Sequence, residues 1–81
     1  MKVYFTPHFH RSHHKLSVNT KKAFDKQMVY LWRDINHPSL HAKKYDEKRN
    51  IWQIRVTSRH RAYFEIKEGV FIFHEIKAQS D

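Results

Sequence analysis

From Lys2 to Thr6 apolar and polar positions alternate, with Val3 and Phe5 to one side and Tyr4 to the other, which is the two-residue period of a β-strand. Pro7, which lacks an amide proton, ends it. Apolar marks are then sparse through "HFHRSHHKL", which reads as a short basic helix anchored by Phe9 and Leu16. Asn19 or Thr20 caps a second helix. There Phe24, Met28, Leu31 and Ile35 recur at the spacing of one helical face, with Trp32 beside them. "NHPS" (Asn36–Ser39) stops this helix, because the residue before a proline is pushed out of the helical region. Leu40 to Asn50 is polar and basic and predicts irregular chain or a weak edge strand.

Three strands follow. In Ile51–Thr57, Trp52, Ile54 and Val56 share one face while Gln53, Arg55 and Thr57 take the other. In Arg61–Lys67, Ala62, Phe64 and Ile66 turn inward and Arg61, Tyr63, Glu65 and Lys67 outward. Glu68-Gly69 makes a tight turn in which the chain's one glycine takes a positive φ. Val70–Ile76 is apolar on both faces at its start, as in a strand with a neighbour on each side. The order β-α-α-β-β-β predicts an α+β fold, with two N-terminal helices packed on one face of a small antiparallel sheet and the first strand returning beside the meander. The opposite face carries Gln53, Arg55, Arg61, Tyr63 and Glu65 and is left open, basic and partly aromatic.

Composition narrows what that face is for. Sixteen Lys and Arg against eight Asp and Glu give a formal charge of +8, with eight histidines able to add to it as pH falls. An excess of that size in 81 residues predicts a polyanionic partner, nucleic acid or an acidic protein. Between Lys43 and Arg61 stand seven cations (Lys43, Lys44, Lys48, Arg49, Arg55, Arg59, Arg61) and two acids (Asp46, Glu47). Residues 1–81 are expected to form a single domain. The absence of cysteine excludes disulfides and Cys-based zinc sites and suits a reducing compartment. No apolar run approaches the roughly 20 residues that cross a bilayer, and "MKVYFTPHFH" has no apolar core of a signal peptide. A cytoplasmic protein without membrane contact is expected.

His37-Pro38-Ser39-Leu40, Lys43-Lys44-Tyr45, Trp52-Gln53-Ile54-Arg55-Val56 and His60-Arg61-Ala62-Tyr63-Phe64, in that order before a last apolar strand, resemble the second half of the RelE/ParE superfamily of bacterial toxins. "FHRSHHKL" is similar to the short first helix of those proteins. The resemblance implies their fold and one of two activities: ribosome-dependent cleavage of mRNA in RelE-like members, or inhibition of DNA gyrase in ParE-like ones. It also implies a cognate antitoxin, whose partly disordered acidic segment wraps the toxin. No cofactor is implied.

RelE-like cleavage uses the substrate's own 2′-OH as nucleophile, so the protein must take a proton and stabilise charge on the phosphate oxygens. Arg55 and Arg61 stand where the family keeps basic residues on the open face. Their planar, permanently charged forks suit two phosphate oxygens. The competing expectation is that each pairs with a carboxylate, Glu65 being at hand. Lys43 and Lys44 match the family's basic segment and are expected on RNA or ribosomal RNA backbone, as are Arg49 and Arg59 from the same cluster. As plain solvated lysines, Lys43 and Lys44 would look no different. His60, at the turn, titrates in the range useful for a general base, although a loop histidine is usually only solvated. His74 is expected to be structural. At the C-terminus the family places a His, or a Lys-Arg pair, and then a Tyr; here stand Lys77, Ala78 and Gln79, which leaves Lys77 as the available cation.

Two further readings stay open. In a plain RNA- or ribosome-binding module without chemistry, Tyr63, Trp52 or Tyr45 stack on bases. Alternatively, "HFHRSHH" sets His10 against His13 and His14 at the i+3 and i+4 spacing that can hold a divalent ion. Without a third ligand or an intervening Glu the pattern does not close a site, and no metal is assigned.

Overall fold

The computed structural model describes residues 2–79. Its elements run β1 (Lys2–Phe5), α1 (Pro7–His14), α2 (Val18–Arg33), a short 3-10 turn (Pro38–Leu40), β2 (Lys43–Asp46), β3 (Ile51–Arg55), β4 (His60–Lys67) and β5 (Val70–Ala78). The five strands form one sheet in the order β1-β5-β4-β3-β2. All pairs are antiparallel except β1 with β5, which are parallel. The first strand does return beside the meander, and the parallel pairing follows from the crossover through the helices. Among the described residues no helix is long and apolar enough to cross a membrane.

Local chemistry places the boundaries. Thr6 caps α1 by accepting from the Phe9 amide at 3.1 Å, and Pro7 fills the first helical turn, where a missing N–H costs nothing. The proline expected only to end a strand therefore also opens a helix. Ser17, not Asn19 or Thr20, caps α2, its Oγ accepting from the Thr20 amide at 3.2 Å. That helix ends at Arg33, so Ile35 packs on the core from the loop beyond it, and Trp32 points outward at 57% exposure. β3 ends two residues earlier than the alternation predicts, because Val56 and Thr57 already belong to the turn into β4. Leu40–Asn50 resolves into the 3-10 end, the edge strand β2 and a turn with Asn50 at φ 57°. Glu68 and Gly69 both hold positive φ, 51° and 77°, as the two-residue hairpin between β4 and β5 demands.

The core lies between the helices and one sheet face. Phe9 and Phe24 from the helices meet Ile54, Ala62, Phe64, Phe71, Phe73 and Ile76 from the strands. Phe5, Phe9, Phe24 and Phe73 sit with ring centroids 4.9–6.3 Å apart. Ser12 stitches α1 to the sheet, its Oγ accepting from the Ile76 amide at 3.1 Å. Trp52 lies on this face too, half-buried, with the Lys44 ammonium 5.2 Å from its ring centre. The opposite face is bare of helices, and there the charges collect.

Candidate functional site

The register between β3 and β4 sets Arg55 directly opposite Arg61, and the register between β4 and β5 sets Arg61 opposite Lys77. Three cations thus form one rung across the open face, about 4.8 Å from strand to strand. Like charges placed directly opposite are unfavourable unless something anionic sits between them. Beside the rung is a cleft of about 390 Å³ lined by His41, Ala42, Lys43, Gln53, Arg55 and Arg61. Among the described residues no acid lies within ion-pair distance of either arginine. Glu65, the carboxylate that competed for them on paper, pairs with His74 instead, Oε1 to Nε2 at 3.0 Å. One Nη of Arg61 donates to the Thr57 and His60 carbonyls at 2.8 and 3.0 Å, which fixes its fork and leaves its other donors to the cleft.

Three residues hold this geometry. Gln27, 5% exposed, reaches from α2 to the sheet. Its Nε2 donates to the Arg55 carbonyl at 2.7 Å and the Ser39 carbonyl at 2.9 Å, and its Oε1 accepts from the Ser39 hydroxyl at 3.0 Å. The Thr57 hydroxyl accepts from the Arg59 and His60 amides at 3.2 and 3.0 Å and so shapes the turn that presents Arg61. His41 follows the 3-10 turn in the left-handed region, φ 47°, and its Nε2 lies 3.4 Å from an Arg55 Nη. Sequence reasoning singled out none of the three for the site. A mid-helix Gln and a His after "PSL" carry no signal until the chain folds.

The remaining expected site residues scatter. Lys43 lines the cleft. Lys44, on the other side of β2, faces Trp52 and donates to the Asn50 side-chain oxygen. Arg49 is held by Asp46, Nε to Oδ2 at 2.8 Å, and the same contact keeps the Asp46 carboxyl below the usual carboxylate range. Arg59 is exposed on the turn. His60 does not join the rung: alternation along β4 puts it on the face opposite Arg61, with Nδ1 3.0 Å from the Thr57 hydroxyl. Tyr63 and Gln53, expected open, are buried on the open face. The Tyr45 ring covers Tyr63 edge-on at 4.8 Å, and the Lys77 ammonium lies 5.5 Å from the Tyr63 ring centre. Burial raises the Tyr63 phenol above its usual pKa against the pull of Lys77.

Beyond that pair a second cleft, of about 480 Å³, is lined among others by Tyr45, Tyr63, Glu65, His74, Glu75 and Lys77. Both flanking strands bulge at it, β2 at Tyr45 and β5 at His74, where the partner strand passes over one residue. The histidines of α1 do not converge on an ion, since among the described residues no group of three or more His, Cys, Asp or Glu side chains comes together. His13 lies against Phe9 instead, ring centres 5.7 Å apart.

No family model and no curated protein matches the sequence. Solved structures match the fold. The YoeB/ParE toxin from Agrobacterium tumefaciens superposes with a TM-score of 0.81 at 10% identity, over 99% of this chain and 100% of that one. A chain of the RelBE2 toxin–antitoxin complex from Mycobacterium tuberculosis gives 0.76 at 17% identity, over 96% of each. One from the RelB–RelE antitoxin–toxin complex of Methanococcus jannaschii gives 0.78 at 17%, over 93% of this chain and 88% of that one. The fold is therefore the one shared by YoeB, ParE and RelE toxin structures, as the resemblance in the sequence implies.

Proposed function

We propose that this chain is a RelE-like toxin of a type II toxin–antitoxin pair, which binds the ribosome in the cytoplasm and cleaves mRNA. The observation that carries the reading is the Arg55–Arg61 rung, two arginines opposite one another in register that line one cleft on a helix-free face, without an acid partner among the described residues. A phosphodiester resolves the repulsion between them and takes up their unused donors. The 2′-oxygen attacks phosphorus, the bond to the 5′-oxygen breaks, and the products are a 2′,3′-cyclic phosphate and a 5′-hydroxyl. The arginines stabilise charge on the non-bridging oxygens. His41, at 3.4 Å from Arg55, is the histidine of the cleft and takes the 2′-OH proton in this scheme, while solvent water gives the departing 5′-oxygen its proton; His60 faces away. Lys43 and Lys77 extend the cationic surface along the backbone. The net charge of +8 suits an acidic antitoxin as the protein partner.

In vitro translation with sequencing of mRNA 3′ ends tests the proposal. Arg55→Ala and Arg61→Ala should each lower cleavage by about 10²–10³-fold, as loss of one preorganised donor to a developing oxyanion does. Inhibition equal to wild type by both variants overturns it. Because Lys77-Ala78-Gln79 replaces the family's C-terminal acid/base residues, a second reading is a ribosome-binding toxin that halts translation without cutting. Intact mRNA under a translation block indicates that reading. Filamentation and a DNA-damage response with translation intact indicate a gyrase inhibitor.

A further inference from the structure

We propose that the cleft of Tyr45, Glu65, His74 and Glu75 is a nucleobase subsite that reads the Watson–Crick edge of guanine in single-stranded RNA. The inference rests on the RNA reading above: the rung holds a phosphate, and the cleft takes the base of an adjoining nucleotide.

Charge separates the two clefts. The chain has only eight acids, yet Glu65 and Glu75 both stand on the face that carries the arginine rung. Arg49, already held by Asp46, and Lys77 line this cleft too, so what sets it apart from the first is its pair of carboxylates, which repel phosphate and accept hydrogen bonds from base N–H groups. Neither is used up. Glu65 spends one oxygen on His74, and Glu75 has only the longer contacts to His8 and Lys77, at 3.6 and 3.7 Å.

Shape and position agree. Tyr63 braces the Tyr45 ring and leaves Tyr45 55% exposed, a stacking platform for a planar base. Tyr63 and Glu65 follow Arg61 at two-residue steps of about 6.6 Å along the same face, which is the reach of a base from its own phosphate. Both bulges fall here. Without them Tyr45 and the His74-Glu75 pair would alternate across the sheet; with them each is re-aimed into one cleft, a use to which bulges beside functional sites are commonly put.

The two carboxylates are the groups that choose the base. Guanine offers two adjacent donors, N1–H and the 2-amino group, to a carboxylate. Adenine and cytosine offer one amino group beside an acceptor, and uracil one N–H between two carbonyls.

The test is fluorescence anisotropy with labelled uridine heptamers in which only the central residue is G, A, C, U or inosine. Wild type should bind the G oligomer about tenfold more tightly than the U oligomer, the discrimination of one bidentate base contact. Inosine, which lacks the 2-amino group, should lose most of that advantage without any change to the protein. Glu65→Gln and Glu75→Gln should together abolish the preference while leaving the U oligomer bound at least as well. Tyr45→Ala should weaken every oligomer by a similar factor. Equal binding of all five oligomers, with Arg61→Ala still reducing it, overturns the subsite and leaves the RNA reading standing. Inosine binding like guanine, or a preference that survives both Gln substitutions, also overturns it. No binding of any oligomer overturns both.

Discussion

A buried primary amide needs partners for both its donors and its acceptor, and Gln27 finds them by joining three parts of the chain. The Arg55 carbonyl, the Ser39 carbonyl and the Ser39 hydroxyl all meet it within 3.0 Å. The consequence reaches the open face, because the Arg55 backbone sets where its guanidinium stands against Arg61. Gln27→Leu keeps the bulk but leaves two carbonyls buried without a donor, a loss of about 1–3 kcal/mol. In a chain of this size each kcal/mol lowers Tm by about 4–8 °C. Thermal denaturation should show that drop, and RNA affinity should fall with it as Arg55 loosens. A variant that melts with wild type would mean that water or a neighbour satisfies those carbonyls, and the positioning role would be lost.

At the scale of the element, α1 couples its packing to pH through His13. Burial against Phe9 and Phe24 lowers the His13 pKa, with Lys21 adding to the effect and Asp25 opposing it. The unfolded chain, near the ordinary value of about 6.5, therefore takes up the proton first as pH falls. The stability that neutral His13 contributes is whole above that value and is lost as pH drops through the lower folded one. Melting followed between about pH 8 and 5 should show a decline that His13→Leu makes shallower, and parallel declines would rule the coupling out. The elements themselves were largely legible in the sequence, because the two periods that define them are backbone geometry. Trp52, Ile54, Ala62 and Phe64 face the helices as their alternation requires. What alternation cannot carry is a bulge: once β2 slips at Tyr45 and β5 at His74, side chains move to a face that no two-residue count assigns them. Tyr63 and Gln53 keep the face that the pattern gave them yet are buried there, Tyr63 beneath the bulged Tyr45 ring. The same limit applies to His41, itself in the left-handed region after a proline turn, whereas His60 follows the alternation, which puts it on the other side of the sheet from Arg61.

Over the whole molecule the question is how much of the charge of +8 a bound RNA feels. Were the excess a diffuse solubility coat, binding would be weak, spread over every face and indifferent to single substitutions. The sheet gives a different arrangement, with Lys43, Arg55, Arg61 and Lys77 on the open face and two carboxylates at its other end. Four phosphate contacts release counterions enough to make log K fall with log salt at a slope of about −0.7 per contact for a single strand, or about −3 in all. Arg61→Ala should flatten that slope by about 0.7, and Arg49→Ala, whose charge Asp46 already answers, should leave it nearly unchanged. Titrations of a short single-stranded RNA at several salt concentrations read both numbers directly. A wild-type slope much steeper than this, untouched by Arg61→Ala, would move the binding surface to the lysines and arginines of the helices and take the rung out of it.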